Sequence, residues 1–422
     1  MFESTLVRTE SDERLARSLT EISGYRDTGR DGWSREVFSD PYRVSRSMVA
    51  RTMSGAGLEV HRDGAGNIIG RLPGSNPLAP PLVSGSHTDT VDGGGRFDGI
   101  VGVMGAIEAA RSIRESGSRL TRDLLVVDFL GEESNEFGLS CLGSRSIAGQ
   151  LDAADLARTN GAGDTLGGRY ASFGLDPDEV IRSVWPSARR PHAFVELHIE
   201  QGPTLETNKL PLGIVTAITG IERMVATFAG AADHAGTTSM TDRVDAMVAA
   251  AEAVLAVRRE ACGAPNHAVA TTTALESASH STNVVPSRIR MLSEVRSVDG
   301  EWLRGVRGRL TREILLKARE TGVEVDFDWS TDNDVIPAHR GIQDVMAQAI
   351  DASGLPWMAL PSGATHDAAH LASIAPMGML FVPSRGGKSH CPEEWSDLKD
   401  ISTGVAALAQ TLMKLDQLEP TR

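Results

Sequence analysis

Four short runs along the chain are apolar and rich in strand-forming residues: "PLVSGSH" from Pro81, "LLVVDFL" from Leu124, "AFVELHI" from Ala193 and "GMLFVPS" from Gly378. Between the first two, Val103, Met104, Ile107 and Ala110 recur at helical spacing, which predicts a helix over Ile100–Ile113. Strands alternating with helices predict an α/β domain with a mainly parallel sheet. The polar groups "SHTD", "GEES", "IEQG" and "SRGGKSH" lie at or just past the ends of these runs. Sites in open α/β sheets form beyond the carboxyl ends of the strands, so four polar clusters at four strand ends point to one convergent site.

From Leu212 to Asp328 the pattern changes. Strand-like runs ("RMVATFAG", "AVATTTAL", "RIRMLSEVRS", "VEVDFDW") enclose two helical stretches, one beginning near Thr241 and one over Glu301–Thr321. The order β-α-β-β-α-β is that of a ferredoxin-like α+β module. It predicts a domain over residues 212–330, inserted between two parts of the α/β domain, 1–211 and 331–422. The Gly-, Asp- and Ala-rich segment Leu151–Ala188 reads as a surface excursion.

A chain of 422 residues exceeds the size at which a single core stops growing, which agrees with two domains. A net charge of −14 argues against nucleic-acid and anionic-membrane binding, because those surfaces need basic patches. An anionic small-molecule substrate remains compatible, since it needs only one local cationic pocket. The three cysteines are far apart and form no C-x-x-C pair, so neither a disulfide framework nor a cysteine-rich zinc site is expected. The first residues are charged and contain no apolar signal-peptide core, and no apolar run reaches the ~20 residues needed to span a bilayer. A soluble cytoplasmic protein is the expectation.

Some motifs mislead. "RGGKSH" contains Gly-Lys-Ser but lacks the first glycine of a phosphate-binding loop, having Val382 in that place. "GIVGVMG" has glycines at every third residue rather than G-x-G-x-x-G, and no G-x-S-x-G elbow is present. The residues that could carry chemistry lie elsewhere. His87 and Asp89 leave a strand end on the same face, where a carboxylate can brace an imidazole. Asp98 precedes a helix and could serve only as its cap. Glu132 and Glu133 are adjacent carboxylates after an apolar strand; they repel unless a cation intervenes, though a solvated acidic turn would also tolerate them. His198 and His390 each have an ordinary alternative, as a core residue and a loop residue. Taken together, three imidazoles and two carboxylates at the ends of one sheet's strands are the ligand set of two divalent ions sharing a carboxylate.

"GSHTDTVDGGGRFDG", "GEES", "ELHIEQGPTLE", "ADHAGTT", "STNVVPS", "SGATHDA" and "KSHCPEEW" together resemble the M20 metallopeptidase superfamily. The similarity is to its amidase, hydantoinase and carbamoylase branch, which includes N-carbamoyl-L-amino-acid hydrolases, allantoate amidohydrolases and β-ureidopropionases. The resemblance implies a dinuclear amidohydrolase binding two divalent ions (Zn, Mn, Co or Ni) per subunit. His87 and His198 would hold one ion, Glu133 and His390 the other, and Asp98 would bridge. Asp89 would orient His87, and Glu132 would be the general base. The inserted domain would be a lid and homodimerisation unit, with His234 reaching the partner's active site to stabilise the oxyanion. Gln201, Asn283 and Arg296 correspond to substrate-binding positions. A guanidinium such as Arg296 can take a substrate carboxylate through two parallel hydrogen bonds, or else pair with Glu294.

This chain departs from the branch at Thr365 (commonly glycine), Ser239 (commonly proline) and Glu294. A β-branched Thr365 would narrow or redirect the pocket. The preferred substrate is an N-carbamoyl-L-amino acid. Allantoate, β-ureidopropionate or N-acyl amino acid hydrolysis is the alternative within the branch, and a non-catalytic metal or ligand binder is the alternative of another class. Retention of Glu132 speaks against the last, because a binder needs no proton shuttle.

Overall fold

The computed structural model describes residues 2–187, 190–279 and 281–418. The chain divides into two compact units: Met1–Thr216 with Ala338–Leu360 and Thr365–Arg422, and Ala217–Pro337 with Pro361–Ala364. The main division therefore falls a few residues beyond the positions 212 and 330 expected from the pattern. Strand β6 begins at Leu212 and still pairs with the larger sheet, which moves the first break downstream.

In chain order the strands are β1 (Glu59–Arg62), β2 (Ile68–Leu72), β3 (Leu82–His87), β4 (Leu124–Phe129), β5 (Ala193–Ile199), β6 (Leu212–Ile218), β7 (Gly220–Ala229), β8 (Asp233–His234), β9 (Ala268–Ser277), β10 (Val284–Val285), β11 (Arg288–Ser297), β12 (Glu324–Asn333), β13 (Ile336–Pro337), β14 (Trp357–Ser362) and β15 (Met377–Val382). The larger sheet runs β1-β2-β4-β3-β5-β15-β6-β13, with β14 also on β6. Its centre, β4-β3-β5-β15, is parallel. Strands β3, β5 and β15 are buried along their whole length, which is why they show no alternation of buried and exposed positions. The helices Ile100–Glu115 and Leu398–Asp416 share one core with this sheet.

The glycines of "GIVGVMG" explain how closely the first helix approaches. A Cβ at Gly99 would enter the His87 ring, and one at Gly102 would meet Ser86 and the Leu197 carbonyl. The motif is a helix–strand packing face, not a nucleotide loop.

Leu151–Ala188 is more than a surface excursion (Ala188 itself lies outside the described residues). Leu151, Leu166, Tyr170, Leu175 and Val180 join Tyr42, Leu130 and Leu142 in a separate buried cluster. Its helices are only four to seven residues long, each opened by a capping Asp or Thr. Short helices give no sustained period, and that hid the cluster.

In the second unit β7, β9, β11 and β12 form one antiparallel sheet in the order β12-β7-β11-β9. Helices Ala246–Cys262 and Gly300–Glu320 contribute to the same core, completing the ferredoxin-like order. The first helix starts at Ala246 rather than near Thr241. Asp245 caps it by accepting the Met247 N–H, while Arg243 is drawn away to the carbonyls of Ala235 and Thr238.

A candidate dinuclear metal centre

The four polar clusters meet. His87 ends β3, Glu132 and Glu133 follow β4, His198 is the penultimate residue of β5, and His390 lies in the loop after β15. His87, Asp98 and His198 can present ligand atoms to one cation, and Asp98, Glu133 and His390 to another. Asp98 is common to both groups. Its Oδ1 lies 3.5 Å from His198 Nε2, and its Oδ2 lies 2.9 Å from His390 Nε2. His390 Nε2 is also 3.3 Å from Glu133 Oε1. Asp98 is not the cap of the following helix; Gly99 occupies that position, with no side-chain capping bond.

Asp89 acts on three neighbours. The His87 Nδ1 lies 3.1 Å from the Asp89 main-chain carbonyl and 3.6 Å from its carboxylate. The Asp89 carboxylate accepts the N–H groups of Glu132 (3.1 Å) and Glu133 (3.0 Å). The His87 ring therefore meets the Asp89 main-chain carbonyl rather than the carboxylate expected to brace it, and the carboxylate fixes the turn bearing both glutamates. Below it, fully buried Arg35 donates to the Thr88 carbonyl, and Thr88 Oγ1 donates to Asp128.

Glu132 Oε2 is 3.5 Å from His87 Nε2, and the Cys141 thiol donates to its Oε1 at 3.6 Å. Burial drives the Glu132 carboxyl well above its ordinary range, with the charge of Glu133 adding to the effect. Burial and then the Asp98 charge push Glu133 up to about 8. For Asp98 burial acts the other way, but the His390 hydrogen bond and the His198 charge hold it below the usual carboxylate range. These crowded, desolvated carboxylates and imidazoles, with no thiolate among the three ligand groups, fit hard or borderline divalent cations.

Gln201 Nε2 donates to Asp98 Oδ1 at 2.8 Å and lies 3.4 Å from His390 Nε2. Cys141, Gln201 and His390 all adopt positive φ (57°, 58° and 56°) although none is glycine. Left-handed backbone costs such residues about 1–3 kcal/mol each and persists where surrounding bonds impose it, commonly at functional sites.

The other expected residues lie apart from this cluster in the chain. Thr365 is half-buried just before His366. His234 is exposed on β8 and Asn283 is exposed immediately before β10, which pairs with β8; the Asn283 carbonyl accepts the Ala235 N–H. His234 Nδ1 accepts the N–H groups of Gly236 and Thr237. Arg296 does pair with Glu294 (2.8 Å), and it also donates to the Gly363 carbonyl (3.0 Å).

Sequence reasoning passed over Glu196, His366 and Glu394. Glu196, His198 and His366 form a third candidate ligand group, with the His198 and His366 rings 4.5 Å apart. The available signal was Glu196 itself, a carboxylate two residues before His198 and so on the same face of a wholly buried, otherwise apolar strand.

Residues 76–414 match the model of peptidase family M20/M25/M40. The chain belongs to this family. It is 37% identical over 414 residues to an N-carbamoyl-L-amino acid amidohydrolase of Geobacillus stearothermophilus, covering 96% of this chain and 99% of the relative. It is 35% identical over 408 residues to a ureidoglycolate hydrolase of Arabidopsis thaliana, covering 95% and 86%. Among solved structures, a hydantoinase/carbamoylase-family amidase from Burkholderia multivorans superposes with a TM-score of 0.86 at 30% identity, covering 97% and 98%. The M20 chain described here is thus a metal-dependent hydrolase of non-peptide carbon–nitrogen bonds with a small-molecule substrate. None of its described helices is long and apolar enough to cross a membrane.

Proposed function

We propose that this M20 enzyme hydrolyses N-carbamoyl-L-α-amino acids to the amino acid, ammonia and carbon dioxide, using two divalent ions per subunit. His87 and His198 hold one ion, Glu133 and His390 the other, and Asp98 bridges. The observation that carries this reading is the division of Asp98, one oxygen toward His198 and the other toward His390. Zn, Mn, Co and Ni all suit the oxygen and imidazole donors. Such ions, when bound, lower the pKa of a water from ~15.7 toward ~7 and polarise a carbonyl.

The protein's own groups do the rest. Glu132 takes a proton from the attacking water and passes it to the leaving nitrogen. Asp89 keeps that carboxylate aimed by holding the Glu132 and Glu133 N–H groups. Gln201 and Asn283 bind the polar end of the substrate, and Arg296 receives its carboxylate through charge-assisted hydrogen bonds. Thr365 narrows the pocket relative to glycine. His234, supplied by the partner subunit of a homodimer formed through the lid domain, stabilises the oxyanion. A cytoplasmic location belongs to the same reading, supported by three unpaired cysteines.

The similarity to a ureidoglycolate hydrolase favours ureidoglycolate as the second reading. The two are separated by measuring ammonia release from N-carbamoyl amino acids, allantoate, β-ureidopropionate and ureidoglycolate, with a free-amine readout for N-acyl amino acids. Each is run with Mn, Co, Ni and Zn. A carbamoyl amino acid is expected to give the highest kcat/KM, and metal analysis about two ions per chain. Ureidoglycolate, allantoate or β-ureidopropionate in first place would move the substrate assignment. One ion or fewer would remove the bridge.

A further inference from the structure

Glu394 lies outside the ligand set, yet it touches both loops that deliver it. Its side chain is 1% exposed. Oε1 accepts the N–H groups of Phe97 (2.8 Å) and Asp98 (3.1 Å). Oε2 accepts the Ser389 hydroxyl (2.8 Å) and the His390 N–H (3.3 Å). Four donors from two distant loops thus converge on one desolvated carboxylate, and two of them belong to Asp98 and His390. The bond to the His390 N–H also helps to impose that residue's left-handed backbone. Two further observations point the same way. A Cβ on Gly95 would fall on the Glu394 carboxyl group, so the third glycine of "GGG" is the space this carboxylate needs. Phe97 and Trp395, the neighbours of Asp98 and Glu394, meet edge to face at 5.3 Å.

We propose that Glu394 is a positioning residue that clamps Asp98 and His390 together, and that it sets the affinity of the ion held by Asp98, Glu133 and His390. The inference rests on the two-ion reading. It makes an asymmetric demand: two of the three members of that ligand group hang on Glu394, against only Asp98 in the group with His87 and His198. Glutamine keeps the size of the side chain but has a single acceptor oxygen, and its amide hydrogens would face donors on the other side.

The test is titration of the zinc-loaded, full-length protein with a chelator, measuring zinc release for wild type, Glu394→Gln, Gly95→Ala and, as a control, the exposed neighbour Glu393→Gln. Outer hydrogen-bond partners of metal ligands commonly contribute 10–100-fold in affinity. Glu394→Gln and Gly95→Ala are each expected to weaken one ion by about that factor while the other stays within about threefold of wild type. Glu393→Gln is expected to match wild type. Two affinities unchanged in both variants, or both falling together, would overturn the proposal. If Glu394→Gln does not fold, Gly95→Ala decides on the same criteria. A wild type that releases only one zinc would instead defeat the two-ion reading.

Discussion

In the first unit His87, Asp98, Glu132, Glu133 and His198 are all less than a tenth exposed, and each is tied to a neighbour on a different loop. In the second unit His234 and Asn283 stand exposed, and their local bonds are to their own turn and its paired segment. The first arrangement carries a desolvation cost that a fold bears only when the charged groups are mutually positioned. The second costs the fold little, because water satisfies these side chains. The contrast separates two kinds of work. Buried groups are held in one arrangement by their neighbours, while on the proposed reading the exposed ones act only when a substrate or a second subunit arrives.

The strongest way to break this contrast is to remove the proton carrier from the buried set. Glu132→Gln leaves His87, Asp98, His198, Glu133 and His390 in place. Turnover is expected to fall by about 10²–10⁴-fold, the usual worth of a positioned acid–base group, with metal content unchanged. Retained turnover would remove Glu132 as the base. Loss of metal would mean that this carboxylate is a ligand instead.

The exposed set makes the complementary demand. His234→Ala should lower kcat by about 10²–10³-fold, the scale of one oxyanion donor, without changing metal content or the melting temperature. Mixing His234→Ala with Glu132→Gln subunits should restore about one working site per mixed dimer, if each site takes its base from one chain and its histidine from the other. No recovery in the mixture would place both groups of each site in one chain.

How much of this was legible differs between the same two regions. Strand ends are visible as the points where apolar runs stop, so His87, Glu132, Glu133 and His198 could be located without coordinates. The β-α-β-β-α-β order was equally visible, because each strand of β7, β9, β11 and β12 is long and its helices are regular. Glu394 was not. Its bond to the Asp98 N–H spans 296 residues, and no local pattern encodes so distant a partner. The left-handed backbone at Cys141 and Gln201 was also hidden, since neither is a residue type that signals it, and the histidine at 390 signals it only weakly. Glu196 lies inside an otherwise apolar strand, and His366 precedes a helix of only five residues, too short to show a period.

A smaller form of the contrast lies within the first unit, between two histidines. His390 has carboxylates around it, and although burial opposes the charge, its hydrogen bond to Asp98 raises it to about 9. His370 has none: its Nδ1 meets Gln150 Oε1 at 2.7 Å, and burial followed by the charge of Arg145 lowers it to about 3. In the unfolded chain it returns to about 6.5. Between those values the unfolded state binds the extra proton, so His370 withdraws stability as pH falls below about 6.5, at about 1.4 kcal/mol per pH unit. The carboxylates elsewhere titrate as well, but they cancel in a comparison with His370→Gln, which retains a donor for Gln150. Urea unfolding at pH 7.5, 6.5 and 5.5 should show the variant gaining on wild type by about 1 kcal/mol across the last step, with little change across the first. A gap constant with pH would mean that His370 titrates in the native state as it does in the unfolded chain, and a variant that loses on wild type as pH falls would mean that the folded protein holds His370 charged.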